Sequence, residues 1–250
     1  GKALQSGTSH YFGDGFAKAF DITYTDKDNK QINPFQTSWG TTTRLIGAVI
    51  MTHGDNDGLV LPPAIAPIQA VIIPIASHKA GVTEKALEIG ERLKKVCRVK
   101  VDCGEQSPGW KFAEYEMKGV PVRIEIGPRD IENGQCVAVR RDNREKTVIK
   151  LSDIETEIPK LLVAVRDGLY NKAADRRANM TYDALNLEQM KEIADTKPGF
   201  IRAMWCGSRE CEDKLKEVAG VTSRCIPLEQ EHLSDTCVCC GKKADKMLYW

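Results

Sequence analysis

Four cysteines near the end of the sequence have the spacing of a metal site. Four residues separate Cys206 from Cys211 and two separate Cys237 from Cys240, and a glycine follows both Cys206 and Cys240. Cysteine thiolates are preferred ligands of Zn²⁺, and four protein ligands leave no coordination position open for a substrate. A glycine after a ligand lets backbone N–H groups approach the sulfur. The pattern favours one closed, structural zinc site over free buried thiols.

The fourth ligand can be either of two neighbouring cysteines. In the sequence C-V-C-C-G, Cys239 and Cys240 both lie at usable spacing from Cys237, and we favour Cys240 because it precedes the glycine. Most of the nine cysteines lie after residue 205, and nothing at the start of the sequence has the pattern of a secretory signal, which favours metal binding over disulfides. The remaining cysteines are isolated and are expected to be small core residues: Cys97, Cys103, Cys136 and Cys225.

A second candidate is the arginine within QTSWGTTTRLIGAVIMTHGD, residues 36–55. The first half is rich in Ser, Thr and Gly and predicts a strand edge and turn. The second half predicts a buried helix, with apolar residues at helical spacing: Leu45, Ile46, Val49 and Ile50. Arg44 would lie at the junction, where its guanidinium can stack on a base or pair with a phosphate. By pattern alone, a solvent-exposed arginine before an ordinary core helix fits equally well.

The segment around Arg44 resembles motif 3 of class II aminoacyl-tRNA synthetases, in which an arginine at a strand–helix junction holds ATP. The flanking sequences LQSGTSHYFGDGFAKAF and HGDNDGLVLPP extend the resemblance to prolyl-tRNA synthetases of the archaeal and eukaryotic type, along essentially all 250 residues. The resemblance implies that proline is activated by ATP, with Mg²⁺, as prolyl-adenylate and then joined to tRNA(Pro). Such catalysis rests on positioning and charge stabilisation rather than on a covalent nucleophile.

The resemblance also implies roles for residues of the first 61 positions. Amide, hydroxyl and guanidinium groups suited to ATP would contact the nucleotide: Gln5, Thr8, Thr42 and Arg44. His10 would contact proline, with Trp39 and Gly40 as walls of a small pocket for the pyrrolidine ring. Without the resemblance, a lone histidine is more often structural, and core packing is the ordinary role of a tryptophan.

A nearby acid–base pair is the chemistry expected of an anticodon-binding site. Proline anticodons end in two guanines, whose donor edge matches a carboxylate and whose acceptor edge matches an arginine. The stretch EYEMKGVPVR places Glu116 near a helix end and Arg123 on the following strand, and Lys146 begins a later strand. The resemblance points to the same three positions. The alternative is that Glu116 and Arg123 form only a surface salt bridge.

The elements that would position these residues fall into four segments. Residues 1–61 would be the C-terminal remnant of an antiparallel class II catalytic domain, with a strand over 16–24 and a turn at 26–30. Residues 62–151 would form an α/β anticodon-binding domain of class IIa type. Residues 152–181 would be a linking helix. Residues 182–250 would form a small α+β zinc-binding domain with helices over 187–194 and 210–218 and a strand over 200–206.

The second segment has the clearest periodicity. Strands are predicted over 68–75, 99–103 and 120–126, with helices over 83–96 and 109–118 between them. A hairpin over 135–141 and 146–151 follows, so the order predicts a mixed five-stranded sheet. Thr83 is predicted to cap the first helix, with Ala86, Leu87, Ile89 and Leu93 on its core side. Ser152 and Glu155 have capping-box spacing, and Pro159 is predicted to open a second helix.

Composition narrows the class of protein. The net charge of +1 is not that of a strongly basic nucleic-acid binder, so RNA contact must use local patches. No apolar run approaches the length of a membrane span, and we expect a cytoplasmic protein that is homodimeric as the full enzyme. Nothing resembles motifs 1 and 2, so we expect the C-terminal half of a longer enzyme, inactive in isolation. The alternative is a tRNA-binding or assembly module that has no catalytic activity.

Overall fold

The structure, a computed structural model, describes residues 4–250. Residues 1–3 of the first predicted segment lie outside that range. The part before residue 54 contains strands β1 (Gly7–Gly13), β2 (Tyr24–Thr25), β3 (Gln31–Ile32) and β4 (Gln36–Thr41) and helices α1 (Gly15–Ala19) and α2 (Arg44–His53). β1 pairs antiparallel with β4, and β2 pairs with β3 around the predicted turn. The predicted passage from strand into helix at Arg44 is confirmed, but the prediction that this helix is buried is wrong, since α2 has no buried residue and Ile46 is 62% exposed.

The strand predicted over residues 16–24 is wrong. Residues 15–19 form α1, and only Tyr24–Thr25 at the end of the predicted range is extended. Ala17 and Ala19 favour a helix, and Ala17 is fully buried while the ring of Phe16 packs edge-on against Phe12 at 4.9 Å. The alternation of apolar and polar residues that suggested a strand belongs to the loop that follows the helix.

A mixed five-stranded sheet forms the centre of the molecule, as predicted. Its order is β6 (Val99–Val101), β5 (Ala70–Pro74), β7 (Val122–Ile126), β8 (Gln135–Arg140) and β9 (Lys146–Lys150). The first three strands are parallel and the last three are antiparallel. Successive residues of β5 enter opposite cores, Ile72 on one face and Ile73 on the other, so both faces of this strand are buried.

The helices that cover this sheet differ from prediction in detail. Helices α3 (Val82–Leu93), α4 (Pro108–Met117) and α5 (Pro128–Glu132) surround it, and α5 was not predicted. The predicted cap at Thr83 is wrong, because Gly81 precedes the helix in a left-handed conformation and the Thr83 hydroxyl donates to Ser77 O. Leu87, predicted to face the core, is 49% exposed because it projects away from the buried Ala86, Ile89 and Leu93.

One long helix, α6 (Ile154–Asn179), follows the sheet. Pro159 lies inside it, so the prediction that proline opens a second helix is wrong. The proline removes one backbone donor, but packing sustains the helix through its buried side: Ile158, Leu162, Val165 and Leu169. The capping box is also absent. Asp153 ends a short 3₁₀ turn and directly precedes the helix, and the Ser152 hydroxyl donates to the Asp153 carboxylate instead.

The last part of the chain has a three-stranded sheet in the order β10 (Thr181–Asp183), β11 (Phe200–Trp205) and β12 (Lys246–Tyr249). Helices α7 (Leu187–Thr196) and α8 (Arg209–Ala219) were predicted closely. Buried Met190, Leu215 and Leu248 form part of its core. Across residues 4–250, no helix combines the length and the hydropathy needed to cross a bilayer.

Candidate functional site

The four predicted metal ligands lie together. Cys206 follows β11, Cys211 is in the first turns of α8, and Cys237 and Cys240 lie in the turn before β12. Their sulfur atoms are all within 4.8 Å of one another. Cys206 Sγ is 3.7 Å from Cys211 Sγ and 3.9 Å from Cys240 Sγ. Four sulfurs bound tetrahedrally to one Zn²⁺ at about 2.3 Å would be about 3.8 Å apart, so the donor set fits this ion.

Glycines shape both halves of the cluster. Gly207 and Gly241 have φ values of +86° and +70°, which side chains rarely adopt, and so the chain turns sharply just after a cysteine. The turn after Cys240 directs the backbone N–H of Lys242 at the sulfur and lowers the pKa of Cys240 to about 7. Burial raises the pKa of the Cys206 and Cys211 thiols. A bound cation would favour the thiolate forms and would therefore lower these pKa values.

The other cysteines separate into packed and exposed groups. Cys239 is half-buried, packs against both apolar clusters of the last part of the chain, and is not among the four cysteines whose sulfurs lie within 4.8 Å of one another. Burial raises the pKa of Cys136 to about 12 and that of Cys97 to about 11, as expected of core thiols. The prediction that Cys103 and Cys225 are core residues is wrong, since both lie exposed in connecting segments.

The first candidate residues for ATP and proline lie on the β1–β4 pair. Thr8 is opposite Gly40 and His10 is opposite Ser38, and directly opposed residues share a face of a sheet. Thr8, His10 and Gly40 therefore lie on one face. Trp39, next to Gly40 in the same strand, projects from the opposite face and is 81% exposed. The three residues predicted to surround proline do not share one face of this sheet.

Arg44 begins α2 beside two other predicted ATP contacts. Its Nη1 donates to Gln5 Oε1 at 3.2 Å, and its backbone N–H donates to Thr42 Oγ1 at 3.2 Å. The helix N-terminus adds partial positive charge at the same place. The structure thus brings Gln5, Thr42 and Arg44 into one exposed group with hydroxyl, amide and guanidinium functions.

The three predicted anticodon residues also converge. Arg123 Nη1 donates to Glu116 Oε1 at 2.7 Å. Arg123 is opposite Val139 in the sheet, and Val139 is in turn opposite Lys146. Arg123, Val139 and Lys146 therefore form a row across β7, β8 and β9 on one face of the sheet, and the Cα atoms of Arg123 and Lys146 are about 10 Å apart. Glu116 contacts Arg123 in this row from the end of α4. Within residues 4–250, no acidic side chain forms an ion pair with Lys146.

Contacts that the sequence analysis missed hold Arg123 in place. Its Nε donates to Glu125 Oε1 at 3.0 Å, and its guanidinium lies 4.0 Å from the ring centre of Phe112. Glu125 is two residues along the same strand, and Phe112 is one helical turn before Glu116, so both spacings were available in the sequence. A pocket beside the pair also contains Tyr115, Arg141 and Arg144.

Two family models match the chain. The one described as "Anticodon binding domain" covers residues 69–161, and the one described as "Prolyl-tRNA synthetase, C-terminal" covers residues 187–250. The first match contains Glu116, Arg123 and Lys146, and the second contains all four clustered cysteines.

Similar proteins extend these matches over the whole chain. The proline–tRNA ligases of Clostridium novyi (strain NT) and Ruminiclostridium cellulolyticum are each 61% identical to it over 250 residues, which is 100% of this chain and 52% of the relative. The crystal structure of prolyl-tRNA synthetase from Cryptosporidium parvum, complexed with L-proline and AMP, matches with a TM-score of 0.90 and 38% identity, over 98% of this chain and 53% of that one. The chain thus spans about half the length of these relatives. Its sequence and its fold agree on one conclusion: the chain belongs to the prolyl-tRNA synthetase family.

Proposed function

We propose that this chain supplies motif 3, the anticodon-binding part and a structural zinc site to an enzyme that ligates proline to its tRNA. The observation that carries the proposal is the contact between Glu116, at the end of α4, and Arg123, which shares one face of the sheet with Lys146 inside the matched anticodon-binding region. The acid and the base are arranged side by side, as recognition of guanine requires.

Anticodon recognition follows from the chemistry of these three side chains. The Glu116 carboxylate accepts hydrogen bonds from the N1–H and N2–H groups of an unpaired guanine, and the Arg123 guanidinium donates to guanine O6 and N7. In the structure the two side chains bond to each other, so an incoming guanine would offer neutral donors to the carboxylate and neutral acceptors to the guanidinium in place of this ion pair. Lys146, which has no ion-pair partner in the described chain, would neutralise a nearby phosphate.

The proposal gives the group around Arg44 a role in activation. The proline carboxylate attacks the α-phosphate of ATP, pyrophosphate leaves with its bond electrons, and the tRNA ribose hydroxyl then displaces AMP from prolyl-adenylate. Arg44 would stabilise charge on the phosphates, with Gln5, Thr8 and Thr42 donating to the nucleotide, and Mg²⁺ would arrive with ATP. The contact between Arg44 and Gln5, together with the AMP and L-proline described for the Cryptosporidium relative, supports this.

Proline itself would lie on the face of the β1–β4 pair that carries His10 and Gly40. Trp39 projects from the other face, so it would reach the proline pocket only from an edge or from across another surface. We keep all three residues in the proposal, with His10 and Gly40 as the better supported positions because they share a face with Thr8.

The cysteine cluster would hold one structural Zn²⁺ through Cys206, Cys211, Cys237 and Cys240. Four thiolates with the observed separations support a closed tetrahedral site that ties α8 and the turn before β12 to the end of β11. The ion would contribute folding free energy to the last part of the chain and no catalytic step.

The proposal includes the division of the chain predicted above, into residues 1–61, 62–151, 152–181 and 182–250. It also includes a homodimeric, cytoplasmic complete enzyme.

Proline-dependent ATP–pyrophosphate exchange by the complete open reading frame tests the assignment. Exchange with proline, and little with alanine or cysteine, is expected from the enzyme. A module without catalytic activity gives no exchange with any amino acid. The 250-residue chain alone serves as the matched control and should give none, because the residues proposed to bind ATP, such as Gln5, Thr42 and Arg44, are exposed to solvent in it.

A further inference from the structure

One buried side chain joins the segment after α2 to the proposed anticodon site. Arg141 follows β8 and is 5% exposed. Its Nη1 and Nη2 donate to the two carboxylate oxygens of Asp55 at 2.7 and 2.6 Å, and its Nε donates to the main-chain oxygen of Glu116 at 2.9 Å. Three of the five N–H donors, one on each nitrogen of the guanidinium, are therefore bonded to fixed partners.

Asp55 is itself held in place. It forms a β-bridge with Gly58, with N–H···O distances of 3.1 and 3.2 Å, and its Oδ1 accepts from the Asp57 backbone N–H at 3.0 Å. Hydrogen bonds from Arg141 keep the pKa of Asp55 below its usual value. The carboxylate thus presents a fixed, ionised surface to Arg141.

The connecting segment, residues 55–61, lies closely along the end of α4. Leu59 N donates to Met117 O at 3.0 Å, and Leu61 N donates to Gly119 O at 3.2 Å. Gly58 has a φ of +130°, and a Cβ there would be 2.6 Å from the Met117 backbone. Such close approach fixes the path of the main chain just after Glu116.

Glu116 lies near the end of α4, where the backbone carbonyls need hydrogen-bond donors from outside the helix. It is the second-last residue of α4, and the final carbonyls of a helix have no intrahelical donor. Its carbonyl accepts from Arg141 Nε and from Gly119 N at 3.0 Å. The backbone of Glu116 is therefore positioned by Arg141, while its side chain is positioned by Arg123.

We propose that Arg141 and Asp55 are positioning residues for anticodon recognition: they hold the Glu116 backbone so that its carboxylate meets the guanine edge at hydrogen-bonding distance. The inference rests on the proposed function of Glu116. Arg141 is buried and acts through Glu116 rather than by touching RNA. The same pair connects the anticodon site to residue 55, two positions after the helix that begins with Arg44.

The test measures binding of two anticodon stem–loop RNAs to the 250-residue chain by fluorescence anisotropy. The RNAs differ only in the two guanines of the anticodon, and the readout is the ratio of their dissociation constants. Asp55→Asn keeps the shape of the side chain but replaces the carboxylate that accepts two hydrogen bonds from Arg141. Arg141→Lys keeps the positive charge but removes the Nε–H that donates to the Glu116 carbonyl. Each should reduce the ratio by about tenfold, since small displacements of a recognition group are costly.

Asp57→Asn is the matched control. Asp57 lies in the same connecting segment and pairs with Arg144, but both side chains of that pair are half or more exposed. Asp55→Asn and Asp57→Asn change the net charge equally, so any general gain in RNA affinity is common to both and cancels in the ratio. Asp57→Asn should leave the ratio as in the parent chain. A merely structural role of Asp55 would instead lower the melting temperature without changing the ratio.

The outcomes distinguish a failure of the positioning role from a failure of the proposed function of Glu116. Loss of discrimination in Asp55→Asn and Arg141→Lys, with the parent ratio kept by Asp57→Asn, supports the positioning role. If both variants keep the parent ratio while Glu116→Ala loses it, the positioning role is overturned and the proposed function stands. If the parent does not distinguish the two RNAs, or Glu116→Ala still does, Glu116 does not recognise guanine and both ideas are wrong.

Discussion

Apolar side chains are mostly exposed in residues 4–53 and mostly buried in the five-stranded sheet region. Among the described residues before position 54, Ala17 alone is buried, and large rings such as Trp39, Phe20 and Phe35 are mostly exposed. In the sheet region, strand β5 is buried throughout and two clusters of apolar side chains cover its faces. An exposed apolar surface of that extent indicates a contact with another protein surface.

This difference in burial decides which proposed functions can be tested with the 250-residue chain alone. The proposed guanine-binding pair of Glu116 and Arg123 and the cysteine cluster both lie inside this chain and are held by contacts within it. Arg44 and its neighbours lie in the exposed part, so the proposed ATP site would need a further surface to enclose it. Assays of the 250-residue chain therefore address RNA and metal, and assays of ATP use require the longer protein.

Loss of the metal should have the largest effect and should remain local. Cys240→Ser should lower zinc content from one ion per chain and unfold much of the part after residue 182, because metal-binding free energy is folding free energy there. Metal analysis and hydrogen exchange measure this, with β11 losing protection while β7 keeps it. Cys239→Ser is the control and should retain the ion. Retention by Cys240→Ser and loss by Cys239→Ser would reverse the ligand assignment.

Truncation of one isoleucine in each region tests the comparison itself. Ile72 is fully buried in β5 and Ile46 is 62% exposed on α2. Ile72→Ala should lower the free energy of unfolding by about 2–5 kcal/mol through lost burial and a cavity. Ile46→Ala should change it by less than about 0.5 kcal/mol. Urea denaturation of the chain gives both values, and similar losses in the two variants would contradict the contrast.

Arg44→Ala should impair ATP use only in the complete enzyme. Removal of a charged contact to the reacting phosphates is expected to raise the barrier for proline-dependent pyrophosphate exchange by about 2–4 kcal/mol. Arg166→Ala, which removes an exposed arginine on α6 paired with Asp167, is the control. An exchange rate unchanged by Arg44→Ala would exclude Arg44 from the ATP site.

Sequence reasoning succeeded where the determinant was local. The cysteine spacing, the strand–helix junction at Arg44 and the five strands of the central sheet all follow from residues close together in the chain. It failed where distant residues decide the structure. Arg141 and Asp55 are 86 positions apart, and the helix continues through Pro159 because its buried side packs against the sheet. β10 and β12 have three and four residues, too few for a periodic signal.

The alternation of residues along a strand also ranks the residues predicted to bind proline. Trp39 and Gly40 are neighbours in strand β4, so the Trp39 side chain projects from the face opposite to the one on which Gly40 lies with Thr8. The resemblance to the family placed both beside proline, and only the pairing of β1 with β4 shows which of them shares a face with His10.

The central claim is that Glu116 recognises the anticodon, and one measurement tests it most directly. In the complete enzyme, aminoacylation efficiency is compared for tRNA(Pro) and for the same tRNA with the two anticodon guanines replaced. Glu116→Ala should reduce the discrimination by about 1–3 kcal/mol while proline-dependent pyrophosphate exchange without tRNA stays normal. Glu114→Ala, which removes a carboxylate paired with Lys118 on the same helix, should leave discrimination intact. If Glu116→Ala rejects the altered tRNA as strongly as the parent does, the account of anticodon recognition is wrong.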